Sequence, residues 1–314
     1  MALLSNKTRI MLNLFVPQRR KSDPRLALSA ADSQLDGKTV VFTGGTDGIG
    51  REAVIRLHRL GAHVVILGRS EAKGQTLLAQ LNQNGGNGQA SFELCDLASM
   101  ASVQDCVQRI LSANSRIDVL VNCAGINMTQ CVLTGDGFET NWAINYLGPV
   151  VLTELLLEPL KASTAGRIVN LTTNTEFIDR LDIDQIQSKP DFATNATYVE
   201  SKLAMNNYSI ELAQRLNSSG VTVNSLCPGY IKSNLLRYLS GTEKVMQSIM
   251  NLMASPTEVG ADRIVRLVAS SAFTGVSAEY VCEDKMKPHH PEAMNPSKRQ
   301  AMQQLTQARL AHWL

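Results

Sequence analysis

The chain has 314 residues, a length that suits one large α/β domain or two smaller ones. With 44% hydrophobic and 18% charged residues it can bury a sizeable core, and this composition excludes an intrinsically disordered chain. A net charge of +2 and an aromatic content of 5% exclude a strongly basic or base-stacking surface, so we predict no nucleic-acid partner.

Residues 1–35 are predicted to be a basic, flexible leader in front of the folded domain. Within residues 1–22 five side chains are basic and none is acidic, and the apolar runs are too short to span a bilayer. This composition is typical of an organelle transit peptide or of a helix on a membrane surface, but a leader with neither role has the same composition. We therefore expect a cytoplasmic location, with a mitochondrial location or peripheral membrane contact through the leader as the alternative.

From residue 36 onward, short β-branched runs alternate with helix-length segments. Strands are predicted at 39–43, 63–67, 90–94, 117–122, 167–172, 221–226 and 278–282. Helices are predicted at 49–60, 70–83, 99–114, 138–162, 197–217 and 256–270. This alternation predicts an α/β fold: one doubly wound parallel sheet of about seven strands with helices on both faces. We expect that domain to cover residues 36–282 and a polar C-terminal tail or helix to follow at 283–314.

The cysteines and histidines do not indicate a metal site. No pair among the six cysteines has CxxC spacing, and the five histidines form no ligand cluster. We therefore expect buried free thiols in a reducing compartment, and no bound metal.

A glycine-rich turn, TGGTDGIG (43–50), follows the first predicted strand and opens an amphipathic helix. Glycines let the backbone approach a pyrophosphate closely, and the N-terminus of the following helix favours negative charge. A turn of this kind between a strand and a helix predicts a dinucleotide site. The predicted cofactor contacts in this turn are Gly44, Thr46, Asp47, Gly48, Ile49 and Gly50.

The end of the second strand bears on the choice between NAD and NADP. An acidic residue there would bind the ribose hydroxyls of NAD, whereas an arginine suits the 2′-phosphate of NADP. The chain has Arg69, with Ser70 beside it and Lys73 one helical turn further on, while Glu71 is expected to begin a helix. The sequence therefore favours NADP, unless Arg69 is a plain surface residue.

The third and fourth strands also end in residues that suit a cofactor. Asp96 is placed to contact an adenine ring, or to cap the helix that begins near Ser99. Small residues in NCAG (122–125) would let the cofactor lie against the strand end. The cofactor contacts predicted here are Asp96, Leu97, Asn122, Ala124 and Gly125.

Hydroxyl groups and a Tyr–Lys pair follow the fifth strand. RIVNLTT (167–173) ends in Thr172 and Thr173, of which strand alternation favours Thr173 for the site, and Tyr198 and Lys202 are four residues apart on one helix face. A free tyrosine has a pKa of about 10 and is a poor base at neutral pH, but a nearby ammonium lowers that pKa. Such a tyrosine could exchange a proton with an alcohol or ketone during hydride transfer, while a neighbouring hydroxyl donates to the carbonyl oxygen.

Taken in chain order over residues 36–282, these motifs resemble the short-chain dehydrogenase/reductase family. The matching stretches are TGGTDGIG (43–50), Asp96, NCAG (122–125), NYLG (145–148), RIVNLTT (167–173), YVESK (198–202) and PGYIKS (228–233). Within the family, LVNCAGI, SKLAMNNYSIELAQRL and SPTEVGA resemble the retinol-dehydrogenase-like branch, which includes the WW-domain oxidoreductases. The resemblance implies a single Rossmann-fold domain and an NAD(P)-dependent dehydrogenase or reductase acting on CH–OH or C=O groups.

The resemblance also implies a role for each matching residue. Tyr198 would be the general acid/base, and Lys202 would bind the nicotinamide ribose and tune Tyr198. Asn145 would hold a helix kink and a water of the proton relay, and Thr173 occupies the position of the catalytic serine. Further cofactor contacts are implied after the sixth strand, at Pro228, Gly229, Ile231 and Ser233.

Three residues depart from the family pattern. Thr173 replaces a serine, and Cys123 replaces the usual second asparagine of the NCAG stretch. Asp47 stands where some NADP-dependent members carry a basic residue, so NAD stays the alternative cofactor. The threonine bears on the rate of the reaction rather than on its type.

Two segments flank the predicted pocket, the loop 174–196 and the Leu- and Met-rich segment 234–256. The second could be an apolar lid over the substrate or an ordinary amphipathic helix on the core or on a dimer face. Together with the branch, it favours a lipophilic alcohol, aldehyde or ketone as substrate. Two alternatives stay open: an NADP-binding interaction protein without catalysis, and an epimerase, dehydratase or double-bond reductase. A homodimer is one expected assembly, because members of the family are often dimers or tetramers.

Overall fold

The sheet of this computed structural model is built from the β-branched runs of the sequence. Its strands are β1 (Thr39–Thr43), β2 (His63–Gly68), β3 (Gln89–Leu94), β4 (Val119–Asn122), β5 (Arg167–Leu171), β6 (Thr222–Cys227), β7 (Tyr280–Cys282) and β8 (Lys285–Lys287). They lie in the order β3-β2-β1-β4-β5-β6-β7-β8. Neighbours from β1 to β7 are parallel, and β8 is antiparallel to β7. The predicted α/β class with a doubly wound parallel sheet is therefore confirmed.

The structure describes residues 28–29, 32, 34–83, 85–175, 181, 196–232, 235 and 254–314. Most of the predicted leader, 1–35, lies outside this part of the chain, and so does most of the segments 174–196 and 234–256 that were predicted to flank the pocket.

The helices cover both faces of the sheet. Within the described residues they are α1 (Gly48–Arg59), α2 (Glu71–Gln83), α3 (Met100–Ala113), α4 (Thr140–Trp142), α5 (Gly148–Leu155), α6 (Leu157–Lys161), α7 (Ala196–Arg215), α8 (Thr257–Ala269), α9 (Pro291–Met294) and α10 (Pro296–Leu310). Side chains alternate along each strand, so Val40 and Phe42 of β1 pack on the face of α1, α2 and α8, while Val41 packs on the face of α3, α5, α7 and α10. Because both faces are covered, β1, β2, β4, β5 and β6 are almost entirely buried, whereas β3 at the edge of the sheet is only partly buried.

The predicted helix 138–162 is distorted. Between α4 and α5 the backbone forms a π-helical segment, Ala143–Leu147, with Asn145 at its centre. A Cβ atom on Gly148 would lie 2.5 Å from the carbonyl oxygen of Leu97, so the helix can approach this neighbour only with a glycine there. Pro149 follows directly and has no N–H to donate, which favours a local change of hydrogen-bond pattern.

The sheet has one strand more than the seven expected. The extra strand β8 is three residues long and reads KMK, too short for a period-2 pattern to be visible in the sequence. It lies in the segment 283–314, which also supplies α9 and α10. On α10, Met302 and Leu310 are buried in the core cluster of α3, α5 and α7, and the hydroxyls of Tyr146 and Thr306 are 2.8 Å apart.

Within the described residues, no helix is long and apolar enough to cross a bilayer. The same part of the chain contains no group of three or more His, Cys, Asp or Glu side chains that could hold a metal ion.

Candidate active site

A cavity of about 690 Å³ lies at the edge of the sheet where β1, β2, β3, β4, β5 and β6 end. This is the edge at which ligands bind in doubly wound folds, and the volume is in the range of cofactor and substrate pockets. The residues predicted from the sequence that line the cavity are Gly44, Thr46, Asp47, Gly48, Ile49, Gly50, Arg69, Asp96, Leu97, Ala124, Gly125, Thr173, Tyr198, Lys202, Pro228, Gly229 and Ile231. Asn122 and Asn145 do not line it, and Ser233 lies outside the described residues.

The glycine-rich turn is tight enough to require its glycines. Gly44 has a φ of +72°, and a Cβ atom on it would lie 2.8 Å from the Cα atom of Ala124. A Cβ atom on Gly50 would lie 2.2 Å from the carbonyl oxygen of Gly44. Asp47 caps α1, because its Oδ1 accepts a hydrogen bond from the amide of Gly48 at 2.8 Å. The turn therefore presents bare backbone and a helix N-terminus to the cavity, which fits a pyrophosphate.

The end of β2 brings two basic side chains to the cavity. Arg69 is exposed and has no acidic partner in the part of the chain that the structure describes. The Nζ atom of Lys73 lies 3.2 Å from Oδ2 of Asp47, and both side chains are largely exposed. Glu71 is the first residue of α2, as predicted, and does not line the cavity. The guanidinium of Arg69 is therefore available to bind an anion, whereas the carboxylate of Asp47 is already paired with Lys73.

Asp96 lies at the cavity and does not cap the helix after it. The N-cap of α3 is Ser99, whose side chain accepts from the amide of Ser102. Oδ1 of Asp96 accepts from the amide of Ala98 at 3.0 Å, and the Asp96 amide donates to the hydroxyl of Ser102 at 3.0 Å. The carboxylate is thus held in a turn at the end of β3, where a bound adenine could be contacted.

Asn122 is buried inside the sheet rather than exposed to the cavity. Its Nδ2 atom donates to Thr153 Oγ1 at 3.0 Å and to Asn170 Oδ1 at 2.8 Å. Asn170 Nδ2 in turn donates to Ser209 Oγ at 2.9 Å. These buried hydrogen bonds connect β4 and β5 to α5 and α7. The sequence shows only a polar residue at the end of a strand, so this structural role could not be predicted from it.

Thr43, which the sequence did not single out, organises the turn after β4. Its Oγ1 atom accepts from the amides of Cys123 and Ala124 at 2.9 and 3.1 Å. Cys123 lines the cavity beside them, and burial raises the pKa of its thiol to about 12. The thiol is therefore a small neutral group at neutral pH, and the turn is held by Thr43.

The hydroxyl of Thr173 and the side chains of Tyr198 and Lys202 meet at the far end of the cavity. Burial raises the pKa of Tyr198, and a hydrogen bond with the Thr173 side chain opposes that shift. β5 ends at Leu171, so both threonines lie past the strand and both line the cavity. Thr172 Oγ1 is buried and has no hydrogen-bond partner among the described residues. Of the two hydroxyls, the one on Thr173 is the one that pairs with Tyr198.

Lys202 is buried at the cavity and cationic at neutral pH. Its Nζ atom donates to the carbonyl oxygen of Leu171 at 2.9 Å. Burial lowers the pKa of the ammonium to about 8, so it still carries a charge at neutral pH. Burial raises the pKa of Tyr198, and the neighbouring Cys227 adds to that shift, while the hydrogen bond with Thr173 opposes it. That Lys202 tunes Tyr198 stays a prediction.

Asn145 joins the turn after β4 to the first turns of α7. Its Oδ1 atom accepts from the amide of Ile126 and its Nδ2 atom donates to the carbonyl of the same residue, both at 2.9 Å. Nδ2 also donates to Ser201 Oγ at 3.1 Å, and that hydroxyl donates to the Tyr198 carbonyl at 2.6 Å. Asn145 therefore braces the helix that carries Tyr198 and Lys202.

The wall around Tyr198 is mostly apolar. It is formed by residues that were not selected from the sequence: Ile126, Asn127, Ile144, Leu171, Val199, Tyr230 and Leu235. They come from loops and from helix faces, where no local pattern separates a pocket wall from ordinary core. The charged residues among those that line the cavity are Asp47, Arg69, Lys73, Asp96 and Lys202.

Comparisons with known proteins agree with this geometry. A family model described as short chain dehydrogenase matches residues 38–244. Polyprenol dehydrogenase of Homo sapiens is 32% identical over 256 residues, which cover 79% of this chain and 77% of that protein. Retinol dehydrogenase 14 of Homo sapiens is 34% identical over 297 residues, covering 89% of this chain and 85% of that protein. A solved Pseudomonas aeruginosa RhlG/NADP complex has the same fold, with a TM-score of 0.64 and 21% identity over 81% of this chain and 97% of that one.

Proposed function

Because this chain belongs to the short-chain dehydrogenase/reductase family and is an NAD(P)-dependent oxidoreductase of CH–OH or C=O groups, we propose that it uses NADP(H) to interconvert a lipophilic alcohol and its aldehyde or ketone. The relatives also confirm the predicted retinol-dehydrogenase-like branch. The single observation that carries the proposal is the meeting of Tyr198, Lys202 and Thr173 at one end of a cavity whose other end is the glycine-rich turn.

In the proposed mechanism the nicotinamide supplies or accepts the hydride, and the chain handles the proton. Tyr198, protonated at neutral pH because burial raises its pKa, gives its proton to the carbonyl oxygen as the hydride arrives. The hydroxyl of Thr173 donates to the same oxygen while negative charge develops on it. Lys202 keeps a positive charge at neutral pH, and its ammonium would hold a ribose hydroxyl of the cofactor. In the oxidation direction Tyr198 must first have lost its proton, and its phenolate then accepts the proton of the alcohol as the hydride leaves.

Two observations support a lipophilic substrate. The wall beside Tyr198 is formed mainly by Ile, Leu and Val side chains, which favour a hydrocarbon group over a sugar or an acid. Two relatives are named for polyprenol and retinol, which are both alcohols with a large hydrocarbon part. We propose that the substrate places its oxygen between Thr173 and Tyr198 and its hydrocarbon part along this wall.

NADP rather than NAD is proposed from the residues at the end of β2. Arg69 is exposed at the cavity without an acidic partner in the described part of the chain, and a guanidinium suits the 2′-phosphate. The carboxylate of Asp47, which would repel that phosphate, is already paired with Lys73. No acidic residue closes β2, which ends at Gly68, so the carboxylate that accepts from the ribose hydroxyls in NAD sites is missing there.

The test is a spectrophotometric assay of NADPH consumption with a panel of lipophilic aldehydes and ketones, repeated with NADH. We expect turnover with NADPH, and a loss of about a thousandfold or more in kcat for Tyr198→Phe, because the proton donor is removed. Tyr208→Phe is the matched control. It removes a hydroxyl that donates to the Glu154 carboxylate at 2.9 Å, and Tyr208 does not line the cavity. Tight NADPH binding without turnover across the panel would instead indicate an interaction protein.

A further inference from the structure

The backbone of Thr173 is anchored from an unexpected direction. β5 ends at Leu171, and Thr172 makes the next backbone bond to β6, from its amide to the carbonyl oxygen of Leu226 at 2.7 Å. The carbonyl oxygen of Thr173 instead accepts a hydrogen bond from the side-chain hydroxyl of Tyr280, at 3.0 Å. The residue whose hydroxyl pairs with Tyr198 is thus held by a side chain from β7.

Tyr280 is itself held rigidly. β7 is paired on both sides, with Tyr280 opposite Ser225 of β6 and opposite Lys287 of β8. The ring is 2% exposed and packs against the imidazole of His289, with ring centroids 5.8 Å apart. The imidazole is fixed in turn, because its Nε2 atom lies 2.8 Å from the carbonyl oxygen of Ala278. A hydroxyl on such a support can define the position of its acceptor.

The backbone around Tyr280 adopts an unfavourable conformation on both sides. Ala278 and Glu283 have φ angles of 63° and 58°, and they are the non-glycine residues with positive φ in the part of the chain described by the structure. A Cβ atom makes this region unfavourable, and such residues persist where the surrounding structure requires them. The three-residue strand β7 is therefore held in place between two strained turns, as expected if the position of its side chains matters.

We propose that Tyr280 is a positioning residue for the reaction: its hydroxyl fixes the Thr173 backbone and thereby the Thr173 hydroxyl against Tyr198. The inference rests on the proposed function. Tyr280 does not itself line the cavity, whereas Thr173, which accepts its hydrogen bond, does. It acts only through Thr173, at the step in which charge develops on the carbonyl oxygen.

This role predicts an effect on kcat that is separate from cofactor binding. Tyr280→Phe keeps the ring and its packing on His289 but removes the donor to Thr173. We expect kcat to fall roughly tenfold, because a reacting group that is slightly misplaced loses much of its effect. The KM for NADPH should stay unchanged, since the residues of the glycine-rich turn and Arg69 lie elsewhere in the cavity.

Tyr208→Phe is the matched control, because it removes one buried tyrosine hydroxyl that donates at 2.9 Å to a group outside the cavity. Both variants and the wild type are compared in kcat, KM for NADPH, melting temperature and amide exchange of the peptide 171–175. The expected result is faster exchange and lower kcat in Tyr280→Phe alone, with melting temperatures of the two variants alike.

Four other results would overturn the inference. Equal kcat in the two variants, or a rise in KM for NADPH with kcat unchanged, would mean that Tyr280 has only a structural role. Unchanged exchange at 171–175 would mean that the hydroxyl does not anchor Thr173. An inactive wild type would overturn the proposed function and the positioning role of Tyr280 with it. An active wild type with an equally active Tyr280→Phe variant would overturn the role of Tyr280 alone, so the two failures can be distinguished.

Discussion

The side chain of Thr173 differs by one methyl group from the serine that the family pattern places there. Its hydroxyl already pairs with Tyr198, so the stiff χ1 of a β-branched residue is compatible with the site. We expect Thr173→Ser to keep or raise activity, and Thr173→Val, which keeps the shape, to lower kcat by about a hundredfold or more. The measurement is kcat with the best substrate of the aldehyde and ketone panel.

Thr172→Val is the comparison for this experiment. The hydroxyl of Thr172 is buried without a partner among the described residues, so its removal should cost far less than that of its neighbour. If Thr173→Val retains wild-type activity, the Thr173 hydroxyl has no part in the reaction and the oxygen of the substrate is held by Tyr198 alone.

Arg69 carries the distinction between the two cofactors. Removal of a charge-assisted contact to a phosphate costs about 1.5–3 kcal/mol, so Arg69→Ala should weaken NADPH binding about tenfold to a hundredfold and NADH binding hardly at all. Binding is measured by titration of cofactor fluorescence. Arg59→Ala is a control with the same change in charge at an exposed residue away from the cavity. An equal loss for both cofactors would contradict the assignment to the 2′-phosphate.

At the scale of single elements, local pattern was enough to locate the parallel strands. β1 has the predicted bounds 39–43, β2 extends one residue beyond its predicted end, and β6 begins and ends one residue later than predicted. The reason is physical: strands covered by helices on both faces must be apolar throughout, and turn residues delimit them. The cavity-lining residues that directly follow these strands could be predicted for the same reason, because the carboxyl ends of parallel strands meet at one edge.

Elements that depend on distant contacts could not be predicted in this way. The segment 138–162 has the apolar pattern of one long helix, and its π-helical part depends on contacts of Asn145 with Ile126 and of Gly148 with Leu97. Asn122 was expected at the cofactor, but its side chain donates to Thr153 and to another buried polar group. This partner is available only because α5 packs on the sheet, and that packing cannot be read from the local sequence. β8 was missed because it forms only by pairing with β7.

At the scale of the molecule, the site depends on a segment that is distant from it in sequence. β7 and β8 bring Tyr280 to Thr173, and the chain beyond them folds back over α7. On α10, Arg299 forms an ion pair with Glu211 of α7, and Met302 is 1% exposed. Residues 283–314, whose composition is polar, therefore cover one side of the core and at the same time support the strand that carries Tyr280.

The contribution of this segment to stability can be measured at its last buried residue. Leu310 is fully buried in the core cluster formed with α3, α5 and α7. Leu310→Ala should lower the free energy of unfolding by about 2–5 kcal/mol, from lost burial and from the cavity left behind. Urea unfolding followed by circular dichroism measures the change, with Leu314→Ala, whose side chain is 50% exposed, as the control. If both variants unfold at the wild-type midpoint, α10 is a dispensable tail. If only Leu310→Ala is destabilised, α10 is part of the cooperative core.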